Sequence, residues 1–394
     1  MIFYYISIIT NMDTSNIVGT GSYSKVEKSG INVIKKISRN YFDSAIREII
    51  ALSNCDHPNI VKIVNFNLDN EAHITLKRHE YNLHEYIKDY IVPIPHLYKL
   101  TYELFSALDY IHNMGIIHCD IKPANILIDI VDNEPILTIC DFGICAPISE
   151  RYHYSKTQTV YYRAPEINIE RYLCQFKPTV DIWSAAIVML ILTSANIQFT
   201  HKNDDSSVTA CQILGLAQCT SRADRMTILR AVNYNYIIIH LQKIIKNNFD
   251  DLKRSGYIHL LANCLQPSPK KRWSASESMS AISSIYNVLY SNIPQRDNLP
   301  IAENFVEGLI ETDKYPALSI ETVNFAYSVY KLFPGDIDDL YKRAIIYIAI
   351  SVYSGSRKSA MGILGKYSID DILTAVKKIM IETHGKLSLM RTVN

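Results

Sequence analysis

The chain has 394 residues, which is long for one compact domain and predicts two or three. Hydrophobic residues make up 48% and charged residues 20%, both within the globular range. The formal net charge of +1 gives no global field that would draw the chain to a nucleic acid or a membrane. The eight cysteines form no CxxC pair, which indicates free thiols in a reducing compartment rather than disulfides or a zinc site. We therefore expect an intracellular protein, cytoplasmic or nuclear.

The first ten residues, MIFYYISIIT, are apolar. They are too short to span a bilayer, and they lack the basic start and the cleavage site of a signal peptide. We interpret residues 1–13 as an extension, either an added strand or a loosely packed segment, and expect a first domain at residues 14–290. No other stretch of the sequence has the length and apolar character of a membrane span.

Two glycines mark the start of this domain, in a stretch from Val18 to Val26 that reads VGTGSYSKV. Glycine lets a backbone come close to a phosphate, so Gly19 and Gly21 are candidates for a phosphate-binding loop. Such a pair alone is more often a plain hairpin, and it gains weight only from motifs that lie farther along the chain.

A strand is predicted at residues 31–37, where side chains alternate between two faces. Val33 and Lys35 then share one face, and Lys36 lies on the other and faces solvent. Because the link between Val26 and Lys35 is short, we expect the hairpin to be tight.

An amphipathic helix is predicted next, at residues 44–52, and it carries Glu48. A glutamate on a helix is usually a solvated charge. The place of this one, between the lysine strand and the run His57-Pro58-Asn59, favours a role as the partner of Lys35. Farther along, residues 74–83 are expected to hold a strand and a hinge, and residues 97–112 a long helix.

The most informative stretch runs from His118 to Asn125 and reads HCDIKPAN, and Asp141-Phe142-Gly143 lies shortly after it. Phosphoryl transfer from ATP needs a carboxylate that orients and deprotonates the acceptor hydroxyl, and oxygen ligands that hold magnesium against the phosphates. The two motifs resemble the catalytic loop and the metal-binding turn of a eukaryotic-type protein kinase. By that resemblance Asp120 would be the base, Asn125 and Asp141 would be the ligands, and Lys122 could touch the moving phosphate. A single acid here would usually be a solvated loop residue, but both motifs in order at this spacing argue for chemistry.

Together these stretches resemble a eukaryotic-type serine/threonine protein kinase of the cyclin-dependent-kinase-like (CMGC) group, over roughly residues 14–290. The resemblance implies an α+β, bilobal fold with a small β-rich lobe and a helical lobe. It implies ATP and Mg2+ as cofactors and protein Ser or Thr hydroxyls as acceptors, and it adds Thr159 to the catalytic group of Asp120 and Lys122. The implied ATP-binding residues are Val18, Gly19, Gly21, Val26, Val33, Lys35, Glu48, Leu76, His79 and Leu127, and the implied metal ligands are Asn125 and Asp141.

The run from Thr157 to Glu166, TQTVYYRAPE, resembles the corresponding segment of cyclin-dependent and mitogen-activated kinases. By this resemblance Glu166 should pair with Arg272, and Asp181 should be a structural support. The same run, with Thr159 in it, argues against a kinase of small molecules.

Cys119 stands where most kinases of this type have an arginine that meets a phosphate on the activation segment. A thiol cannot act as that cation. Control by phosphorylation at Tyr154, Ser155 or Thr157 is therefore expected to be weak or absent. Cys119 itself is either a buried inert thiol or a reactive one.

Residues 291–300, SNIPQRDNLP, are polar with two prolines and predict a linker before a helical domain at 301–394. Within that domain, apolar residues at three- and four-residue spacing predict helices at 320–332, 336–353 and 369–383.

The order of these helices resembles a cyclin box, and the alternative is a generic helical extension. Cyclins grip the kinase helix with a lysine and a glutamate, and Val352 and Val376 occupy those positions here. Apolar packing would then replace the charges. We hypothesise a built-in activator that docks on the helix of Glu48, with tethering supplying a high effective concentration.

The predicted function is ATP-dependent phosphoryl transfer to protein Ser/Thr hydroxyls, and the alternative is a pseudokinase scaffold that binds partners without turnover. The presence of every group that the chemistry requires favours transfer. These groups are Lys35, Glu48, Asp120, Lys122, Asn125 and Asp141.

The divergent sequence and the short loops suit a viral kinase that acts in a host cell.

Overall fold

The computed structural model describes residues 17–20, 24–148, 159–167, 177–193, 205–216, 221–245, 251–286, 325–326, 329, 332–333, 338–353, 367–383 and 385. Predictions for residues 1–13, Gly21, the three activation-segment phosphosites and the 291–300 linker lie outside the described residues.

A five-stranded antiparallel sheet forms the first part of the fold. Its strands are β1 (Ile17–Thr20), β2 (Ser24–Ser29), β3 (Asn32–Ser38), β4 (Ile63–Leu68) and β5 (Glu71–Lys77). They lie in the order β1-β2-β3-β5-β4. Gly30, at φ +62°, makes the two-residue turn between β2 and β3, so this hairpin is as tight as predicted.

Helix α1 (Phe42–Asn54) comes after β3 and packs against the sheet. It is longer than the predicted 44–52. Its core-facing side carries the run Ala45, Ile46, Ile49 and Ile50, all fully buried. Apolar residues at this helical spacing hold the helix against the sheet by burial, and the position of the helix determines where Glu48 lies.

The second lobe is mainly helical, and its described residues include two small antiparallel sheets that carry the loops of the site. Its helices are α2 (Leu83–Asp89), α3 (Ile94–Asn113), α4 (Thr179–Leu192), α5 (Ser206–Ile213), α6 (Arg222–Ala231), α7 (Tyr234–Ile244), α8 (Asp251–Cys264) and α9 (Ala275–Tyr286). Its strands are β6 (Tyr81–Asn82), β7 (Ile116–Ile117), β8 (Ile126–Val131), β9 (Glu134–Ile139) and β10 (Ala146–Pro147). The bilobal architecture matches the predicted fold class.

Two more helices are described toward the C-terminus, α10 (Asp339–Tyr353) and α11 (Ile369–Glu382). They agree with two of the three helices predicted there, and of the predicted 320–332 helix the structure describes only a few positions. The two helices pack against each other, and α10 also packs against α1 and β10. The helix that carries Glu48 is therefore covered by α10.

None of the helices within the described ranges combines the length and the apolar character that crossing a membrane requires.

Candidate active site

The β3 lysine lies at the centre of a charge network. The ammonium group of Lys35 is 2.6 Å from Oε2 of Glu48 on α1 and 2.7 Å from Oδ1 of Asp141. Glu48 is fully buried and Lys35 is 8% exposed, so these contacts form in a region of low dielectric. Burial by itself would lower the pKa of Lys35, but the two carboxylates outweigh it and raise that pKa, so the lysine stays charged.

Asp141 keeps its negative charge. Burial would raise the pKa of its carboxyl group, but the charge and the hydrogen bond of Lys35, with the charge of Lys122, lower it to about 2. The residue has a left-handed backbone, φ +67°, and its side chain remains 43% exposed. Phe142, next in sequence, is fully buried and meets the ring of His118 edge-on at 4.7 Å. This anchor turns the carboxylate of Asp141 toward the site.

The carboxylate of Asp120 is held by donors on both oxygens. Its Oδ1 accepts hydrogen bonds from the Thr159 hydroxyl at 2.8 Å and the Thr159 amide at 3.1 Å. Its Oδ2 lies 2.6 Å from Nζ of Lys122 and accepts a bond of 3.0 Å from Nδ2 of Asn125. Lys122 also donates to the Thr159 hydroxyl at 3.0 Å. The structure thus brings together the three residues predicted as catalytic.

Asn125 and Asp141 form an oxygen donor set that fits Mg2+. The amide nitrogen of Asn125 donates to the main-chain oxygen and the carboxylate of Asp120, which orients the side chain and leaves its Oδ1 as the ligand atom. Magnesium prefers oxygen ligands and is usually held by one or two carboxylates together with substrate phosphates. An amide oxygen and an ionised, part-exposed carboxylate meet that preference, so these two residues would hold the ion.

The predicted adenine-side residues line up through the register of the sheet. Val33 stands opposite Leu76 of β5, and Val26 of β2 stands opposite Lys35. Because directly opposed residues of an antiparallel pair project to the same face, these side chains share the face that carries the lysine. Leu127 is half-buried on β8, in the other lobe.

Val18 and Gly19 of β1 and His79 of the hinge are also predicted ATP contacts. Val18 is 48% exposed, and nothing lies within 4 Å of a Cβ placed at Gly19, so the backbone there is open for a close approach. The ring of His79 turns toward Asp129, with Nδ1 3.0 Å from the carboxylate. An adenine contact at this position would therefore be made by backbone atoms.

A buried aspartate shapes the backbone of the catalytic loop. Asp181, fully buried on α4, accepts hydrogen bonds from the amides of His118 and Cys119 at 2.7 and 2.9 Å. Cys119 adopts a left-handed backbone at φ 66°. Asp181 therefore supports the loop, in the way the sequence predicted.

The thiol of Cys119 is fully buried. Burial, and then the charge of Asp181, raise its pKa well above the ordinary thiol value. Because the thiolate is the reactive form, the structure favours an inert thiol over a reactive one.

Arg272 and Glu166 form the predicted ion pair. The guanidinium reaches both carboxylate oxygens, at 2.7 and 3.0 Å, and its side chain is fully buried. It also donates to the carbonyl of Thr179 at the start of α4. The pair thus joins the end of the activation segment to the core of the helical lobe.

The sequence reasoning missed a second layer around the site. Ser44 and Arg47 on α1 both donate to the carbonyl oxygen of Gly143, and Arg47 also reaches the carbonyl of Ser351 on α10. The sequence did show an arginine on a helix, next to the glutamate that pairs with Lys35. Nothing in the sequence pointed to its acceptors, because those are backbone atoms.

Comparisons with known proteins agree with this geometry. The family model described as protein kinase domain matches residues 12–282. The chain is 27% identical over 280 residues to the serine/threonine-protein kinase ICK of Mus musculus, which covers 66% of this chain and 43% of that protein. It is 26% identical over 265 residues to the cyclin-dependent kinase F-3 of Oryza sativa subsp. japonica, covering 64% of this chain and 59% of that one.

A third relative, the mitogen-activated protein kinase p38a of Drosophila melanogaster, is 29% identical over 289 residues, covering 67% of this chain and 76% of the relative. The chain thus spans less than two thirds of the length of the mouse and rice relatives. Helices α10 and α11 lie beyond the residues that the family model matches.

Proposed function

The chain belongs to the protein kinase domain family, and on that basis we propose that it transfers the terminal phosphoryl group of ATP to Ser or Thr hydroxyls of protein substrates. The observation that carries this proposal is the assembled network around Asp120, with both oxygens held by Thr159, Lys122 and Asn125. The intact contact of 2.6 Å between Lys35 and Glu48 supports it.

In this proposal Asp120 orients the acceptor hydroxyl and takes its proton. The acceptor oxygen bonds to the γ-phosphorus while the bond from that phosphorus to the β–γ bridging oxygen breaks, and ADP leaves. Lys122, 2.6 Å from the base and 24% exposed, is placed to offer its positive charge to the transferring group. Lys35 would hold the other phosphates, and magnesium at Asn125 and Asp141 would neutralise phosphate charge.

The restriction to Ser and Thr acceptors rests on the loop itself. Lys122 and Thr159 form a closed hydrogen-bonded triangle with Asp120, which resembles the arrangement in serine/threonine kinases. The similar protein ICK of Mus musculus is named a serine/threonine-protein kinase.

The experiment is transfer of labelled phosphate from Mg-ATP to a generic protein substrate, with subsequent identification of the phosphorylated amino acid. We expect phosphoserine and phosphothreonine, and a loss of roughly 100-fold or more in Asp120→Asn, because the base is removed while the side-chain shape is kept. Equal signals from the native chain and Asp120→Asn would reject the activity. A folded native chain that binds ATP without transfer would instead support the scaffold alternative.

We further propose that the C-terminal helices act as an activator in cis, in the manner of a cyclin. The packing of α10 on α1 supports this idea, because α1 carries Glu48. Val352 and Val376, which occupy the two cyclin positions, are 0% and 1% exposed. Their burial fits an apolar docking face in place of the charged grip.

A further inference from the structure

Arg47 occupies an unusual place for a charged residue. It lies on α1 next to Glu48 and is only 2% exposed. Burying a guanidinium is costly unless its donors are satisfied. The carboxylate of Asp43, on the same helix, is 3.8 Å from Nη2 of Arg47, beyond hydrogen-bonding distance. Two short hydrogen bonds of Arg47 go to backbone carbonyls from distant parts of the chain.

The first carbonyl belongs to Gly143, two residues after Asp141. Its oxygen accepts a hydrogen bond of 2.5 Å from Nη1 of Arg47 and one of 2.9 Å from the hydroxyl of Ser44. A Cβ at Gly143 would come within 2.6 Å of that hydroxyl, so the absence of a side chain permits the close approach. The turn that carries Asp141 is thereby tied to α1 through two donors.

The second carbonyl belongs to Ser351, in the last turn of α10, and Nη2 of Arg47 donates to it at 2.8 Å. The last four carbonyls of a helix lack partners within it, and the C-terminal end of a helix dipole is negative. A buried guanidinium therefore suits this position well. When α10 packs on α1, the carbonyl of Ser351 is an acceptor for Nη2 of Arg47.

We propose that Arg47 is a positioning residue that couples the C-terminal helices to the metal-binding turn. Its planar fork bonds the α10 terminus with one nitrogen and the carbonyl after Phe142 with the other. When α10 is seated, Arg47 is held in the orientation that places Gly143, and with it the carboxylate of Asp141. The inference rests on the proposed kinase activity and names the group through which the C-terminal helices would act.

The residue at position 119 explains why the chain would need the link through Arg47. Cys119, buried in the catalytic loop, offers no cation to a phosphate on the activation segment. Arg47 is committed to two carbonyls by short bonds. The order that a phosphate would otherwise bring is supplied here by a helix terminus.

The experiment uses the full chain with substitutions at both ends of the link. Arg47→Met removes the fork, and Arg47→Lys keeps a cation that can reach one carbonyl but cannot bridge both. Gly385→Leu disturbs the packing of the C-terminal region on α1 without touching Arg47 itself: Gly385 has φ +69°, and a Cβ there would meet Ser53 and Ile49 of α1. Arg230→Met, an exposed arginine on α6, is the matched control.

Two quantities are measured. The first is kcat with Mg-ATP and a generic protein substrate, which should fall roughly 10- to 100-fold in Arg47→Met, less in Arg47→Lys and not in Arg230→Met. The second is hydrogen exchange of the Cys145 amide, which bonds to the Phe142 carbonyl at 3.1 Å, and of the α10 amides. Coupling is reciprocal, so Arg47→Met should speed exchange in α10 and Gly385→Leu should speed it at Cys145.

The outcomes separate the link from the activity. If Gly385→Leu loosens α10 without changing exchange at Cys145, or if Arg47→Met behaves like Arg230→Met, the positioning role is overturned. If the native chain transfers no phosphate, the proposed activity fails, while the exchange data still decide the coupling. If Gly385→Leu lowers kcat and Arg47→Met does not, cis activation survives without Arg47. Should Arg47→Met fail to fold, Arg47→Lys gives the same readouts.

Discussion

At the scale of single residues, the geometry of the site depends on the four hydrogen-bond donors that hold the carboxylate of Asp120. Asp120 is 8% exposed, and each of its oxygens has two donors within 3.1 Å. Three of these four donors are side-chain groups, and the fourth is the Thr159 amide. Because Thr159 also accepts from Lys122, its hydroxyl closes a ring that keeps base and lysine in one geometry.

We predict that Thr159→Val, which keeps the shape and removes the hydroxyl, lowers kcat roughly 10-fold or more, since Asp120 and Lys122 lose their shared partner. Thr159→Ser keeps the hydroxyl and should stay within about threefold of the native chain. Steady-state phosphate transfer measures both. A serine variant as impaired as the valine variant would assign the effect to packing rather than to the hydrogen bonds.

At the scale of secondary-structure elements, the connection from α1 to β4 is fastened by a neutral histidine. Nδ1 of His57 accepts from the Asn59 amide at 3.1 Å, so its Nε2 carries the proton that faces the Ser106 hydroxyl of α3 at 3.2 Å. Asn59 in turn donates to the Leu137 carbonyl of β9 at 2.7 Å. Burial lowers the pKa of His57 to about 4, and the charge of Asp56 opposes this only partly.

This histidine predicts a pH dependence of stability. The neutral ring is preferred in the folded state, so its contribution is fully present above the unfolded pKa of 6.5 and is lost as pH falls from there toward 4. The loss approaches roughly 3 kcal/mol, because each pKa unit is worth about 1.4 kcal/mol. Protonation would also place a second N–H against the Asn59 amide.

Thermal unfolding of the native chain, His57→Gln and His73→Gln at pH 7.5 and pH 5 checks this prediction. His57→Gln starts less stable but should lose less stability between the two pH values than the native chain. His73, 42% exposed in its side chain, is the control and its variant should follow the native slope. Parallel curves for all three proteins would contradict the assignment.

At the scale of the whole molecule, the C-terminal pair is attached to the small lobe by a buried face and by charges at its rim. Val352 on α10 and Val376 on α11 are buried. Lys377 pairs with Asp69 at the β4–β5 turn, and Asp370 pairs with Arg39 after β3. These rim pairs involve exposed side chains, and such pairs contribute about 0–1 kcal/mol each. Burial should therefore dominate the docking.

We predict that Val352→Asp, which buries an unpaired charge, detaches the pair and lowers phosphate transfer at least about 10-fold. Lys377→Ala, which removes one rim charge, should change transfer and stability little, within about 0.5 kcal/mol for the latter. Transfer assays and hydrogen exchange of the α1 amides report both effects. Full activity in a Val352→Asp protein whose α10 amides exchange rapidly would exclude an activating role for the C-terminal helices.

Much of the fold and of the site could be predicted because its information is local. The alternation of side chains along β3 predicted that Val33 and Lys35 share one face. The spacing of apolar residues predicted the helix α1, which carries Glu48. The loop from Asp120 to Asn125 keeps its groups within one short turn, so residue spacing alone specified their proximity. The predicted α10 and α11 helices could be located from periodicity in the same way.

What only the tertiary structure decided is where the two carbonyl acceptors of Arg47 lie. Gly143 and Ser351 are 96 and 304 residues away from Arg47 in the chain. A residue pattern reports which side chains are apolar or charged, but every residue carries a carbonyl. Which carbonyl is left without a partner depends on where a helix ends and on what packs against it. By itself the sequence determined the chemistry of the site, and the packing of α10 on α1 decided what holds that site in place.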